Sequence, residues 1–457
     1  MHIPTSGRYL DLTFHVQTFG CQMNKHDSER VSGMLESLGA LPVDTVEEAD
    51  VVVFMTCCVR EAADIRLMGQ VSSMKNVPLR ARSPLQKRMV AIGGCIGQRD
   101  GGKLLDLLPH VDVVFGTNNL ASLPSLLDKA LDGGMRTAET FDETDAFPTE
   151  LPTSREHSWA AWLPITIGCN NFCTYCIVPY VRGREKSRPL EDVVDEARRY
   201  VAAGVKEITL LGQNVNSYGR DLYGKPRFAD VLQAVSDTGI ERLRFATSHP
   251  KDLTDEVIAK FGLVPNVMPA LHLPAQSGSN AVLKAMHRSY SIEHYLELVD
   301  KLRAACPGIA LSTDIIVGFP GETEDDFMQT YELVEKVGYS QVFTFIYSKR
   351  EGTPAATYAD DTPREVIQER FDRLRKAVEA GAFEYNQAQA GKTIPVLFEG
   401  SSKKEPGIVT GRSPENITVH AALPKDMKVE DVAGSIFNVT IDEARTWYLR
   451  GTIVTPA

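Results

Sequence analysis

The 457-residue sequence contains no uninterrupted run of the roughly 20 apolar residues that a membrane-spanning helix requires. Its first residues also lack a basic segment followed by an apolar one, which is the layout of a secretory signal. It has no low-complexity tract and no fixed-period repeat, which argues against a repeat architecture. These absences predict a globular cytoplasmic protein without a membrane partner.

Positive charge is also scarce, since 49 Lys and Arg face 60 Asp and Glu and give a net charge of −11. Nucleic-acid-binding proteins are usually basic, because phosphate contacts dominate their affinity. The overall charge therefore counts against RNA binding, and only a local basic face would support it. Two segments, 181–188 and 75–88, are locally basic. The first predicts phosphate contacts by Arg182, Arg184, Lys186 and Arg188. The second segment, 75–88, fits phosphate contact and a solvated surface loop equally well.

The sequence divides into segments that differ in hydrophobic pattern and in turn residues. Residues 1–140 alternate short apolar runs with helical patterns, which predicts a parallel α/β domain with strands at 13–19, 50–55, 88–92 and 111–115. Residues 141–158 are acidic and polar and are interpreted as a linker. Residues 159–386 hold six further strand-and-helix units, which indicates an incomplete barrel short of the eight units of a closed one. Residues 387–457 have short strands between Gly, Pro and Ser turns, as in a small β-barrel.

Eight cysteines are present, and in a cytosolic chain of this length metal ligation or catalysis is more common than disulfide formation. Three of them, Cys169, Cys173 and Cys176, form a Cys-x3-Cys-x2-Cys motif just after a predicted strand. Thiolates suit zinc or iron–sulfur clusters, but structural zinc usually takes four ligands and no fourth Cys or His is near. Three ligands would leave one iron of a [4Fe–4S] cluster open. A zinc knuckle or three incidental buried cysteines remain as alternatives.

A second set comprises Cys21, Cys57 and Cys95, each of which follows a predicted strand of the first domain. The carboxyl ends of parallel strands share one edge of a sheet, where ligand sites gather. The three thiols can converge there. From spacing alone, unrelated buried cysteines are an equally good interpretation.

The motif at 167–176 resembles the signature of the radical S-adenosylmethionine (SAM) superfamily. Further motifs resemble the methylthiotransferase family within it: Gly-Cys-Gln-Met-Asn at 20–24, Thr-Cys-x-Val-Arg-Glu around Cys57, Gly-Gly-Cys at 93–95, Arg-Gly-Arg-Glu at 182–185, Gly-Gln-Asn-Val-Asn at 212–216, Pro-Ala-Gln-Ser-Gly at 274–278 and Gly-Phe-Pro-Gly-Glu-Thr at 318–323. The C-terminal segment is similar to TRAM, an RNA-binding β-barrel. The resemblance covers nearly the whole chain.

This resemblance implies two [4Fe–4S] clusters, a radical SAM cluster on Cys169, Cys173 and Cys176 and an auxiliary cluster on Cys21, Cys57 and Cys95. It implies two equivalents of SAM per turnover, one as methyl donor and one as the source of a 5′-deoxyadenosyl radical. By the same analogy, the expected SAM contacts are Tyr175, Gly212, Gln213, Ser248, Gln276, Ile316, Gly318 and Gly321. An electron donor such as flavodoxin or ferredoxin is implied as a partner, and we expect a monomer.

Within the family the motifs favour the MiaB branch, which adds a methylthio group to C2 of N6-isopentenyladenosine at position 37 of tRNA, next to the anticodon. The alternatives are the MtaB branch, which modifies threonylcarbamoyladenosine in tRNA, and the RimO branch, which modifies an aspartate of a ribosomal protein. A non-catalytic electron carrier with two clusters is the rival from another class, although 457 residues are far more than a ferredoxin needs.

One departure from the family pattern concerns the auxiliary set. The family usually has Asn-Thr-Cys where this chain has Met55-Thr56-Cys57-Cys58. Because Thr56 precedes and Val-Arg-Glu follows at 59–61, the resemblance places the ligand at Cys57 rather than Cys58. The remaining cysteine, Cys306, matches no motif and is expected to be a core residue.

Overall fold

The computed structural model describes residues 7–58, 61–142, 147, 151–424 and 426–454, without the side chains of 61–63. These residues form two compact units. The first holds the chain up to Glu156 together with Ile167–Asn170 and Cys176–Lys186. The second holds His157–Thr166, Asn171–Tyr175 and the chain from Ser187 onward. Of the predicted linker, 143–146 and 148–150 lie outside the described residues.

The first unit contains a six-stranded parallel sheet in the order β2-β1-β3-β4-β5-β6. Its strands are β1 (Thr13–Thr18), β2 (Leu41–Pro42), β3 (Val51–Thr56), β4 (Met89–Gly94), β5 (Val113–Phe115) and β6 (Thr137–Glu139). Its helices are α1 (Gln22–Ser37), α2 (Glu61–Ser73), α3 (Cys95–Asp100), α4 (Lys103–Leu107), α5 (Leu123–Gly133) and α6 (Val178–Val181). The predicted parallel α/β arrangement is confirmed.

The central strand β3 explains why the sequence shows apolar runs rather than alternation in this unit. Val53 belongs to the apolar cluster on one face of the sheet, and Phe54 belongs to the cluster on the other face. Every residue of β3 and β4 is buried. Strands covered on both faces are apolar throughout, as parallel sheets require.

The second unit begins with an open barrel of six parallel strands. They are β7 (Ala160–Pro164), β10 (Glu207–Leu211), β11 (Arg242–Phe245), β12 (Ala270–His272), β13 (Ala310–Val317) and β14 (Gln341–Ile346), and the two-residue strands β8 (Thr166–Ile167) and β9 (Lys186–Ser187) flank the cysteine loop in sequence. The six barrel strands form two three-stranded sheets, β11-β10-β7 and β12-β13-β14. An isolated parallel bridge joins Leu243 of β11 to Val267, which precedes β12. The predicted partial barrel is therefore confirmed.

Helices follow the barrel strands and cover their outer face. They are α7 (Leu190–Ala202), α8 (Arg220–Tyr223), α9 (Phe228–Ser236), α10 (Asp255–Leu263), α11 (Asn280–Ala285), α12 (Ile292–Ala305), α13 (Glu324–Val337) and α14 (Arg364–Gln387). Helices α10 to α13 each begin after a Ser or Thr whose side chain accepts a backbone N–H bond, which fixes where each loop ends. The loops that leave the carboxyl ends of the strands are thereby held in place.

The same unit ends in a small closed β-barrel, which confirms the predicted C-terminal fold. Its elements are β15 (Thr393–Ser401), β16 (Ile408–Arg412), β17 (Thr418–Ala422), α15 (Val429–Val432), β18 (Ile436–Ala444) and β19 (Tyr448–Ile453), with strand order β15-β16-β17-β19-β18. Two buried arginines of β11 anchor it: Arg242 donates to the carbonyls of Pro395 and Arg412, and Arg244 donates to that of Ser413.

Within the described part of the chain, none of the helices combines the length and apolarity needed to cross a bilayer.

Candidate functional site

The second cysteine set lies at one edge of the first unit's sheet. Cys21 follows β1, Cys57 follows β3 and Cys95 begins α3 directly after β4. These three strands are adjacent, and their ends are level because Thr18 pairs with Met55 and Thr56 pairs with Gly94. Cys57 and Cys95 are buried, whereas Cys21 is exposed. The topology therefore brings the three predicted cysteines to the same place.

Four thiols meet at this edge, because Cys58 joins the predicted three. Cys21 shares a hydrogen bond with Cys57, and Cys95 shares one with Cys58. The bond from Cys57 lowers the pKa of Cys21. The bond from Cys58, against the effect of burial, lowers the pKa of Cys95 to about 7, and the charge of Arg182 contributes in both cases. Lowered pKa values favour the thiolate, which is the form that ligates iron.

The donor set suits a cluster better than a single ion. Among the residues that the structure describes, no three His, Cys, Asp or Glu side chains converge as a single metal ion would require. Thiolates that ligate an iron–sulfur cluster lie further from one another than thiolates that share a single metal ion, because each binds a different iron. Soft sulfur ligands are the chemistry that such clusters prefer.

Arg182, a predicted phosphate contact, lies inside the first unit beside these thiols. Its side chain is 7% exposed, and Nη2 donates to Asn24 Oδ1 at 2.9 Å and to Asp27 Oδ2 at 3.0 Å. Burial opposes ionisation of Asp27, yet Arg182 and then His26 hold its pKa below the usual value. The expectation that Arg182 contacts phosphate was wrong, because its guanidinium is enclosed by protein partners.

We expect Arg182→Met to destabilise the first unit by about 3–5 kcal/mol, because Asp27 would keep a buried charge without its cation. Hydrogen exchange of the α1 amides reports on this unit separately from the second. The loss should shrink as the pH falls, since the carboxylate contributes stability only while it is ionised. Arg184→Met, which alters an exposed neighbour, is the control and should change protection little. Equal protection in both variants would contradict this account.

The other three basic residues of 181–188 differ in exposure. Arg188 is 2% exposed, pairs with Glu196 at 2.8 Å and donates to the Pro164 carbonyl at 2.8 Å. Its predicted phosphate contact was therefore also wrong. Arg184 is exposed and Lys186 is half-buried, so both stay predictions.

The basic segment 75–88 makes mostly internal contacts. Arg80 pairs with Asp50, Lys87 pairs with Asp112, and Arg88 donates to four backbone carbonyls. Its role is therefore largely structural.

The Cys-x3-Cys-x2-Cys loop has a backbone that only particular residues allow. Gly168 has a φ of +75°, and a Cβ there would lie 2.1 Å from the Arg184 carbonyl oxygen. The Cys169 amide donates to the Gly183 carbonyl at 3.1 Å. In the second unit, the Thr174 amide donates to the Met286 carbonyl and its hydroxyl to that of Ala285. Cys169 and Cys173 are buried, and Cys176 is half-buried.

Most of the predicted SAM contacts lie at the carboxyl edge of the open barrel. Gly212 and Gln213 follow β10, Ser248 follows β11, and Gln276 bridges to β13 next to Ile316. A Cβ on Gly212 would lie 2.1 Å from Thr166 Oγ1, so only glycine fits. Gly318 and Gly321, after β13, both have positive φ. Tyr175 packs against the apolar cluster that contains Ile316.

Several buried polar atoms at this edge have no protein partner. Within the described residues they include Gln213 Oε1, Ser248 Oγ, Asn214 Oδ1, Asn216 Nδ2 and Thr166 Oγ1. Buried polar groups are almost always satisfied, so a set of unsatisfied ones at the strand ends indicates a ligand site. The sequence analysis did not predict Thr166, Asn214 or Asn216 as site residues. The closely spaced Gln and Asn side chains after β10 could have indicated a polar ligand site.

His249 adds a neutral acceptor near this edge. Burial, and then the charges of Arg288 and Lys251, lower its pKa to about 2. Its Nδ1 accepts the Lys251 amide, and its ring meets that of Tyr290 edge to face. The imidazole therefore stays uncharged at physiological pH.

The exposed aromatic residue of the C-terminal barrel is Trp447, which is 50% exposed. The ring of its neighbour Tyr448 meets that of His420 edge to face, and the guanidinium of Arg450 lies 5.7 Å from the centre of the Tyr448 ring.

Two family profiles match the chain: the Radical SAM superfamily over residues 163–334 and Uncharacterized protein family UPF0004 over residues 13–116. A tRNA-2-methylthio-N(6)-dimethylallyladenosine synthase of Acidothermus cellulolyticus is 49% identical over 412 residues, which cover 89% of this chain and 82% of the relative. The protein of that name from Kineococcus radiotolerans is 46% identical, with 96% and 87% covered. That from Thermoanaerobacter sp. is also 46% identical, with 97% and 93% covered.

Among solved structures, the radical SAM methyltransferase TsrM of Kitasatospora setae superposes with a TM-score of 0.54 at 13% identity. The match covers 88% of this chain and 81% of TsrM. At that identity the likeness concerns the fold alone, and it agrees with the parallel strands of both units.

Proposed function

Because the chain belongs to the family of tRNA-2-methylthio-N(6)-dimethylallyladenosine synthases, which are radical SAM methylthiotransferases, we propose that it methylthiolates tRNA. The substrate position is C2 of N6-isopentenyladenosine next to the anticodon. The observation that carries the proposal is identity of 46% across 97% of the chain with a relative of that name. The C2–H bond is too inert for acid–base chemistry at neutral pH, so a radical route is needed.

Cys169, Cys173 and Cys176 would hold the radical SAM [4Fe–4S] cluster. When bound, this cluster and SAM supply the radical that removes the C2 hydrogen. The chain's own contribution is to bind and orient. Gly168 lets the loop turn tightly before Cys169, and the two bonds from Thr174 fix the loop beside α11.

The carboxyl edge of the open barrel would bind SAM. Gln213 and Ser248 each offer a buried polar atom without a protein partner, and Asn216 offers a third. These groups suit the hydroxyl, amino and carboxylate groups of SAM. Tyr175, Gln276, Ile316, Gly318 and Gly321 complete the proposed contacts, with Ile316 in an apolar cluster suited to the adenine ring.

Cys21, Cys57 and Cys95 would hold the auxiliary [4Fe–4S] cluster, which would supply the sulfur. One SAM would provide the methyl group and a second would be the source of the radical, which makes two equivalents per turnover. The convergence of these thiols at the ends of β1, β3 and β4 supports this assignment. A protein electron donor such as flavodoxin or ferredoxin would supply electrons. We further propose that the protein acts as a monomer and that Arg184 and Lys186 contact tRNA phosphates.

Expression of this chain in bacteria that lack their own methylthiotransferase tests the proposal. Mass spectrometry of tRNA nucleosides should show N6-isopentenyladenosine converted to its 2-methylthio form. The control is the same strain carrying the triple Cys169/Cys173/Cys176→Ala variant, which should leave the nucleoside unmodified. A methylthio group on threonylcarbamoyladenosine, or on a ribosomal-protein aspartate, would instead identify one of the other family branches. No modified product in any of the three would overturn the proposal.

A further inference from the structure

A buried arginine contacts one cysteine of the radical SAM motif. Arg288, which follows α11, is 9% exposed. Its Nη1 donates to Cys173 Sγ at 3.6 Å, its Nη2 to the Pro274 carbonyl at 2.8 Å and its Nε to Tyr290 Oη at 3.0 Å. The guanidinium also lies 5.1 Å from the centre of the Tyr290 ring. All of these groups belong to the second unit.

The charge of Arg288 has no carboxylate partner among the residues that the structure describes. Three other buried arginines of this unit form ion pairs, namely Arg188 with Glu196, Arg244 with Glu207 and Arg370 with Glu322, whereas buried Arg242 donates to backbone carbonyls. Burying a cation is costly unless an opposite charge lies nearby. Of the groups that Arg288 touches, the thiol of Cys173 is the one that becomes anionic when it ligates iron.

The hydrogen bonds of Arg288 fix the position of its guanidinium group. Tyr290 Oη, which accepts from Arg288, itself donates to the Ala275 carbonyl at 2.7 Å. Arg288 is therefore tied to the loop after β12 at two points and to the cysteine loop at a third. A guanidinium can make these bonds together because its donors are fixed in a planar fork.

We propose that Arg288 is a positioning residue that holds a permanent positive charge against Cys173 and so raises the reduction potential of the cluster bound there. The inference rests on the proposed function, which assigns Cys173 to that cluster. Reduction adds one negative charge, and a fixed cation with an N–H···S bond favours the reduced form. Hydrogen bonds to cluster sulfurs and local charge are among the protein's means of setting such potentials.

The experiment uses the full-length chain with Cys21, Cys57 and Cys95 replaced by alanine, so that the radical SAM cluster is the one observed. After anaerobic reconstitution, iron content and the midpoint potential from an electron paramagnetic resonance titration are measured. Arg288→Met should keep the iron but lower the equilibrium constant for reduction at least tenfold, which is about 59 mV for one electron. Arg288→Lys keeps the charge and should lie closer to the parent.

Arg242→Met is the matched control. Arg242 is also buried and donates to backbone carbonyls, but its partners are in the C-terminal barrel. Its replacement should leave the potential unchanged. An equal shift in the Arg242 and Arg288 variants would show a general loss of packing and overturn the proposal.

The remaining outcomes are also decisive. An unchanged potential in Arg288→Met with full iron content would make Arg288 a structural brace only. If Arg288→Met holds no iron, Arg288→Lys decides: retained iron at the parent potential supports a role for the charge, and lost iron overturns it. If the parent itself binds no iron while Arg288 is intact, the cluster assignment fails and the proposed function with it.

Discussion

Replacing Cys169, Cys173 and Cys176 together with alanine should abolish tRNA methylthiolation and SAM cleavage while leaving about half of the iron. Two [4Fe–4S] clusters correspond to about eight irons per chain after anaerobic reconstitution. The triple variant removes the thiols of one set and leaves the thiols of Cys21, Cys57 and Cys95 in place. Iron and sulfide analysis with nucleoside mass spectrometry measures both effects.

Cys306→Ala is the matched control for this result. Cys306 is half-buried, packs beside the barrel core and belongs to neither cysteine set. Its replacement should retain the wild-type iron content and activity. A wild-type content near four irons would refute the auxiliary cluster, and retention of activity by the triple variant would refute the radical route altogether.

Cys57→Ala should likewise abolish methylthiolation and lose the auxiliary iron, whereas Cys58→Ala should retain both. The motif around Thr56 motivates this expectation, although 59–60 and the side chain of Glu61 lie outside the described residues. Cys57 hydrogen-bonds to Cys21, while Cys58 hydrogen-bonds to Cys95 and, like Cys95, belongs to the apolar cluster that also contains Phe19 and Ile96. The expectation therefore rests on the motif, and truncation of a buried thiol that does not ligate iron should mainly leave a small cavity.

The two adjacent cysteines act as controls for each other, because both are buried and they differ by one position. Iron content distinguishes a lost ligand from a damaged core. If Cys58→Ala loses the iron and Cys57→Ala keeps it, the alignment on Thr56 is wrong and Cys58 is the ligand. If each variant loses part of the iron, the site uses both thiols.

The hydrophobic pattern of the sequence was sufficient to predict the main strands but not the short strands at the edges of the sheet. The expected strand at 13–19 exceeds β1 by one residue, and that at 50–55 is displaced from β3 by one residue. The edge strands β2 and β6 have two and three residues and no fully buried position, so they leave no pattern to read. Their pairing depends on neighbours distant in the chain.

The basic residues show more clearly where sequence reasoning stops. Arg182 and Arg184 look alike in a local window, yet one is buried and the other is exposed. The difference comes from Asp27, which is 155 positions away and has no recognisable spacing relative to Arg182. The set of Cys169, Cys173 and Cys176 was easier to recognise because its spacing is local, whereas Cys21, Cys57 and Cys95 were picked out through family motifs. Arg288 was not predicted, because its contact with Cys173 is created by the fold.

The place of Arg182 in the chain bears on how this protein can be divided or recombined. The segment Cys176–Lys186 follows Tyr175 of the second unit in sequence but belongs to the first unit in space. A gene fragment that stopped at Glu156 would encode the whole six-stranded sheet and omit the cation that Asp27 requires. Exchange of the N-terminal half between related genes would separate the same pair. A first unit produced without Cys176–Lys186 would therefore carry a buried carboxylate without its cation.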